Sequence, residues 1–169
     1  MEEAKNIFLI LDELRENAKQ VDNDGLKAVE TLITEANRIF IGGAGRSGFC
    51  ARGFSNRLMH LGYTVYFVGE PTTPSIQAGD LLIVGSGSGN TASLVSNVKK
   101  AKDQGAKVAT LTMFPENKIG SMADAIIKIP GVTEKCADQN EGGSVQASGS
   151  SFEELCWITY DAMVMDLMK

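Results

Sequence analysis

Five short apolar runs punctuate the chain, at 38–41, 64–68, 81–84, 107–112 and 125–129. They are rich in Val, Ile and Leu and bounded by glycine or proline, the pattern of strands buried on both faces. Between them the apolar period lengthens to three and four residues. One such stretch carries Phe49, Phe54, Leu58 and Leu61; another carries Leu94, Val95, Val98 and Ala101. Strands that alternate with helices imply right-handed β-α-β crossovers and a parallel sheet covered on both faces. The expected fold class is therefore α/β, a three-layer αβα sandwich on a five-stranded parallel sheet. The usual order for so small a sheet is the flavodoxin-like 2-1-3-4-5, which opens a ligand crevice where strands one and three diverge.

Two amphipathic helices precede the sheet. The first carries Ile7, Ile10, Leu11, Leu14, Ala18 and Val21; the second carries Leu26, Val29, Leu32, Ile33 and Ala36, with Asp24 as its expected cap. A short helix is expected over 119–123. A last, well-marked helix places Phe152, Leu155, Cys156, Thr159, Met163, Val164 and Leu167 on one face. Trp157 and the methionines read as core or interface. The stretch 131–148 is polar and rich in Gly, Ser and Gln, so it reads as a long loop, and long loops in compact domains are often functional. A chain of 169 residues suits one domain, with N-terminal helices over 1–36 and the sheet core and last helix over 37–169.

A net charge of −5 argues against a nucleic-acid surface, which needs a basic face. It leaves room for an anionic small molecule, because a few backbone N–H groups bind phosphate locally. No apolar run reaches the length of a membrane span, and the acidic start Met1-Glu2-Glu3 lacks a cleavable signal pattern. Cys50, Cys136 and Cys156 form no C-x-x-C pair and are odd in number, which suits reduced thiols. The expected location is the cytoplasm.

Two glycine loops converge on the expected crevice. The first, Gly42-Gly43-Ala44-Gly45-Arg46-Ser47-Gly48, follows strand one; the second, Gly85-Ser86-Gly87-Ser88-Gly89-Asn90-Thr91, follows strand three. Both lead into helices. Glycine lets the backbone approach an anion, successive N–H groups form a nest, and the helix N-terminus adds donors and partial positive charge. Gly45, Arg46, Ser47, Ser86, Ser88, Gly89 and Thr91 are the candidate phosphate ligands. The serines, Asn90 and Thr91 could equally be turn or cap residues. A dinucleotide site is the rival, since Gly43–Gly48 fits G-x-G-x-x-G and the acidic Glu70 closes strand two. Against it, the chain has no length left for a substrate domain, and the second loop would have no task.

These loops carry a resemblance. Ser86-Gly87-Ser88-Gly89-Asn90-Thr91 resembles the S-x-S-G-x-T signature of the sugar isomerase (SIS) domain family. With Gly43–Gly48, Arg57-Leu58-Met59-His60-Leu61-Gly62, Val68-Gly69-Glu70 and Gly149-Ser150-Ser151-Phe152-Glu153, the similarity extends over essentially the whole chain toward the 6-phospho-3-hexuloisomerase group. One departure is Ser151, where relatives often carry a larger apolar residue. The resemblance implies an isomerase of the ribulose monophosphate pathway. It would interconvert D-arabino-hex-3-ulose 6-phosphate and D-fructose 6-phosphate through a cis-enediol, with no cofactor and no metal. It also implies a homotetramer with composite active sites. A non-catalytic phosphosugar-binding module, or an isomerase for another sugar phosphate, are the alternatives. The absence of an attached DNA-binding region speaks against a sensor.

Such a reaction needs one base that reaches two neighbouring carbons, donors for the enolate oxygen, and a clamped phosphate. The resemblance points to Glu153 as the base; on its own terms Glu153 would merely complement a helix dipole or complete a capping box with Ser150. His60, the one histidine, ends the helix after the first loop, where a histidine also suits the dipole. In the related enzymes a matching histidine is a candidate for ring opening or proton relay. At 1.5 Å per residue it stands roughly 20 Å from the first loop, so it is expected to act in a neighbouring subunit's site. Glu70 is expected near the crevice, holding substrate hydroxyls or Arg46, or lying solvated. Arg46 is expected to pair with phosphate or with an acidic neighbour.

Overall fold

The computed structural model describes residues 4–169. Two helices, α1 (Lys5–Ala18) and α2 (Asn23–Glu35), lead into β1 (Ile39–Gly43), α3 (Gly45–His60), β2 (Val65–Phe67), β3 (Leu81–Gly85), α4 (Ala92–Asp103), β4 (Lys107–Thr112), β5 (Ala125–Lys128) and α5 (Ser150–Leu167). All strand pairs are parallel and the order is β2-β1-β3-β4-β5, as the alternation of periods predicts.

The pleat sorts the strand side chains into two apolar layers. Ile39, Ile41, Leu81 and Ile83 face a core shared with Val29 and Ile33 of α2, Phe54 and Leu58 of α3, and Leu155 and Met163 of α5. Phe40, Leu82 and Val84 point the other way, to Leu94, Val98 and Ala101 of α4. The crossovers after β1 and β3 therefore leave toward opposite faces, which opens the switch point between these strands. The N-terminal edge of the sheet is tied by Asp80, only 2% exposed. Its carboxylate accepts from Arg38 Nε (3.0 Å) and Nη2 (2.5 Å) and from the Gln77 N–H (2.8 Å).

Several local details differ from the sequence reading. The cap of α2 is Asp22, not Asp24: Asp22 has extended backbone angles and accepts from the N–H groups of Asp24 and Gly25, while Asp24 is already inside the first turn. The first helix stops at Ala18 and leaves Val21 in the connecting turn. Edge strand β2 is three residues long and only half-buried. The short helix near 119–123 is a 3₁₀ turn, Gly120–Met122. Phe49 is not core, being 69% exposed, and Trp157, at 46% exposed, keeps only the interface alternative. The stretch after β5 is a loop that encloses a second 3₁₀ turn, Glu134–Gln139, anchored by buried Cys136.

Candidate active site

In the sheet register Gly43 lies beside Gly85, so the two glycine loops leave neighbouring strand ends. Chain thickness sets the first turn. A Cβ on Gly43 would stand 2.8 Å from the Gly48 Cα, and one on Gly48 would stand 2.9 Å from the Gly43 carbonyl oxygen. Only glycines let α3 start this close to β1. The last helix, α5, begins after Gly149, whose φ of +83° is left-handed. The N-termini of α3, α4 and α5 thereby border one cavity of about 260 Å³.

One wall of this cavity holds a carboxylate cluster. Glu153, in the first turn of α5 and 14% exposed, has both oxygens engaged. Oε2 accepts from Arg46 Nη1 at 3.0 Å and Oε1 from Ser47 Oγ at 3.3 Å. Arg46 also donates to Ser150 Oγ (2.7 Å) and lies 3.5 Å from Glu154 Oε1. Behind them the Cys50 thiol donates to the Glu153 carbonyl. Burial, helped by the Glu153 charge, pushes that thiol up and keeps it protonated.

The opposite wall is the second loop. Ser86 Oγ is buried without a hydrogen-bond partner among the described residues. Thr91 stands at the N-cap position of α4, yet its side chain makes no capping bond. Ser88 Oγ alone behaves as a turn residue, accepting from the Asn90 N–H at 3.4 Å. Capping therefore explains one hydroxyl of the three; the other two make no hydrogen bond among the described residues. Gly89, at φ +63°, makes the turn that carries the chain into α4. Met113 and Phe152 supply an apolar wall, and Thr133, Glu134, Lys135 and Ser148 close the cavity from the long loop.

The structure thus brings together Gly45, Arg46, Ser47, Ser86, Ser88, Thr91 and Glu153. Gly89, also expected there, makes the turn without lining the cavity, and two expected residues lie elsewhere. His60 ends α3 on the surface, a helix length away from the cavity. Glu70 lies beyond β2 and is ion-paired with Arg52, not Arg46, because Arg46 is already held by the α5 carboxylates and Arg52 stacks over Phe67 at the edge of β2. This also weakens the dinucleotide reading: its ribose-binding acid is engaged off the cavity, while the second loop forms half the cavity wall. Lys135, Glu134 and Thr133 were not foreseen. The only signal was the length and polarity of their loop.

The SIS domain family matches residues 32–153, a span that takes in both loops and ends on Glu153. The chain belongs to the SIS domain family. Its similarity to curated relatives runs over the whole chain. It is 41% identical to a 3-hexulose-6-phosphate isomerase of Bacillus subtilis (strain 168), over 100% of this chain and 91% of the relative. It is 38% identical to a 3-hexulose-6-phosphate isomerase of Mycobacterium gastri, over 97% of this chain and 81% of the relative. Among solved structures, a Methanococcus jannaschii protein, for which the function of a 3-hexulose-6-phosphate isomerase was inferred, superposes with a TM-score of 0.80. That match is 32% identical and covers 97% of this chain and 89% of that one. The SIS match itself omits α1, most of α2 and nearly all of α5, which the similarity to the Bacillus subtilis relative does cover.

Proposed function

We propose that this SIS protein is an isomerase that interconverts D-arabino-hex-3-ulose 6-phosphate and D-fructose 6-phosphate. The observation that carries this reading is Glu153: a carboxylate set into a hydroxyl- and glycine-lined cavity and aimed by Arg46 and Ser47. Moving the carbonyl from C3 to C2 requires removal of the C2 proton, a cis-enediol, and delivery of a proton to C3. The reverse starts at the C3 proton of fructose 6-phosphate. One carboxylate between two adjacent carbons can serve both steps, since each oxygen engaged by one donor keeps a second lone pair. Arg46 and Ser47 fix its direction. The free hydroxyls of Ser86 and Thr91 and the α4 N-terminus offer donors to the sugar phosphate.

His60 is exposed and far from its own cavity, so its role in ring opening or proton relay belongs to a neighbouring subunit's site. The exposed apolar side chains of α1 (Ile7, Phe8, Leu11) and α5 (Trp157, Ile158, Met165) support burial in a homotetramer with such composite sites. No helix among the described residues is long and apolar enough to cross a membrane; the protein is assigned to the cytoplasm. Glu70, paired with Arg52, is left a supporting role at the edge of β2.

Proton NMR of fructose 6-phosphate with the protein in D₂O tests the reading. The C3 proton is expected to exchange, with the 3-ulose appearing alongside. Glu153→Gln is expected to slow exchange by roughly 10²–10⁴-fold while still binding the sugar phosphate. Binding without exchange in the unmodified protein would instead indicate a phosphosugar-binding module or a different sugar.

A further inference from the structure

The substrate's phosphate brings about −1.5 to −2 charges at neutral pH, and the cavity's arginine is not free to meet them. Arg46 faces two carboxylates, Glu153 at 3.0 Å and Glu154 at 3.5 Å, and bonds Ser150 as well. One guanidinium against two carboxylates leaves that wall net negative, so it repels a second anion rather than recruiting it. The other cation lining the cavity is Lys135, which makes no ion pair among the described residues.

Its backbone is held firmly although its side chain is free. Thr133 Oγ1 accepts from the Lys135 N–H at 3.3 Å, and the Glu134 N–H donates to Ser148 Oγ at 3.0 Å. The adjacent Cys136 is 8% exposed and joins the main core. Asn117 Nδ2 donates both to the Ser88 carbonyl (2.8 Å) and to Gln139 Oε1 (3.1 Å), which ties the Lys135 turn to the second glycine loop. The loop is thus braced both to the Ser86–Thr91 segment, through Asn117, and to the start of α5, through Ser148.

We propose that Lys135 is the cation that holds the substrate's phosphate against the Ser86–Thr91 loop, while Arg46 stays with Glu153 and Glu154. The proposal rests on the sugar-phosphate reading above. A flexible ammonium suits this task, being a point charge that follows the phosphate without a fixed fork geometry. Glu134, its neighbour on the same wall, opposes the anion, so the two residues carry opposite signs of effect.

The test is titration of the full chain with fructose 6-phosphate and, separately, inorganic phosphate, beside C3 exchange kinetics. Lys135→Met is expected to weaken binding of both ligands about tenfold and to raise KM rather than lower kcat. Lys135→Arg restores most of the affinity, and Glu134→Gln tightens binding a few-fold. Unchanged binding by Lys135→Met overturns the proposal. So does parallel weakening by Lys135→Met and Glu134→Gln, which would mean that the loop acts through its shape. Thermal melting of each variant checks that the fold is kept. If the unmodified protein binds fructose 6-phosphate without C3 exchange, the isomerase reading fails, and the binding series still decides Lys135. If it binds neither ligand, both fail.

Discussion

Tyr160 offers a sharp check on the packing beneath the site. Its ring is 2% exposed and stacked on Phe54, with centroids 4.5 Å apart and planes at 15°, so it has no freedom to swing away. Its hydroxyl is buried with no hydrogen-bond partner among the described residues. It lies under the end of β3, where a Cβ built on Gly85 would stand 2.9 Å from it. A buried unpaired hydroxyl costs roughly 1–3 kcal/mol of desolvation. Removing one oxygen also forfeits a few dispersion contacts at about 0.1–0.2 kcal/mol each. Tyr160→Phe should therefore stabilise the fold by about 1 kcal/mol, or about 2–4 °C in Tm for a chain of this size. Gly85→Ala carries no backbone strain, since Gly85 is not among the positive-φ glycines, but its methyl meets an oxygen that cannot yield. That overpacking should cost about 1–3 kcal/mol. It should also displace Ser86 and depress activity. In the double variant the oxygen is gone, and most of the Gly85→Ala cost should vanish, giving a coupling of about 1–2 kcal/mol. Urea denaturation of the four proteins measures every term. A Tyr160→Phe variant less stable than the parent, or a strictly additive double variant, would refute the reasoning.

Two further outcomes concern charges that hold the sheet. Arg38→Met strands the buried Asp80 carboxylate at the N-terminal ends of β1 and β3, and should lower stability, read as a drop in the urea midpoint. Burial pushes the Asp124 carboxyl up, but hydrogen bonds from Lys102, the Val108 N–H and Lys107 outweigh it and hold the group below its usual value of 3.8. A depressed folded-state pKa stabilises above the unfolded value and is lost as pH falls through the folded one. The stability difference between the parent and Asp124→Asn should therefore be constant above about pH 5 and shrink below about pH 4; a gap that widens on acidification would contradict this.

Much of the fold was legible because it is written in periods and punctuation. Alternating faces of Ile39, Phe40 and Ile41, followed by paired glycines, define a strand with a tight turn wherever they occur. The misreadings lie where local sequence is degenerate or the deciding contact is distant. Asp22 and Asp24 are equally good caps on paper, and only the extended backbone at Asp22 separates them. Phe49 stands off the Ala51, Phe54 and Leu58 stripe of α3, so a stricter reading of the helical period would have left it outside. For Glu70 the sequence leaves substrate hydroxyls, Arg46 or solvent open, and that Arg52 takes it instead depends on how α5 packs against α3 and occupies Arg46, more than eighty residues later. Lys135 sits in a stretch without periodicity, and its meaning comes from Asn117 and Ser88, which no local rule connects to it.

The geometry also explains why such a site uses two glycine loops rather than one. A helix N-terminus stabilises one anion well, but the proposed reaction needs two in the same small cavity: a resident carboxylate as base and a visiting phosphate. Placed together they would repel and compete for the same donors. The structure separates the resident anion, giving Glu153 to the α3 and α5 N-termini with Arg46 and Ser47. In the proposed arrangement the phosphate takes the α4 N-terminus with Ser86, Thr91 and Lys135. The distance between the two slots then sets which carbons of the sugar chain reach Glu153. Chain length between phosphate and carbonyl becomes the property on which such a cavity discriminates, and the shape of the sugar ring matters less.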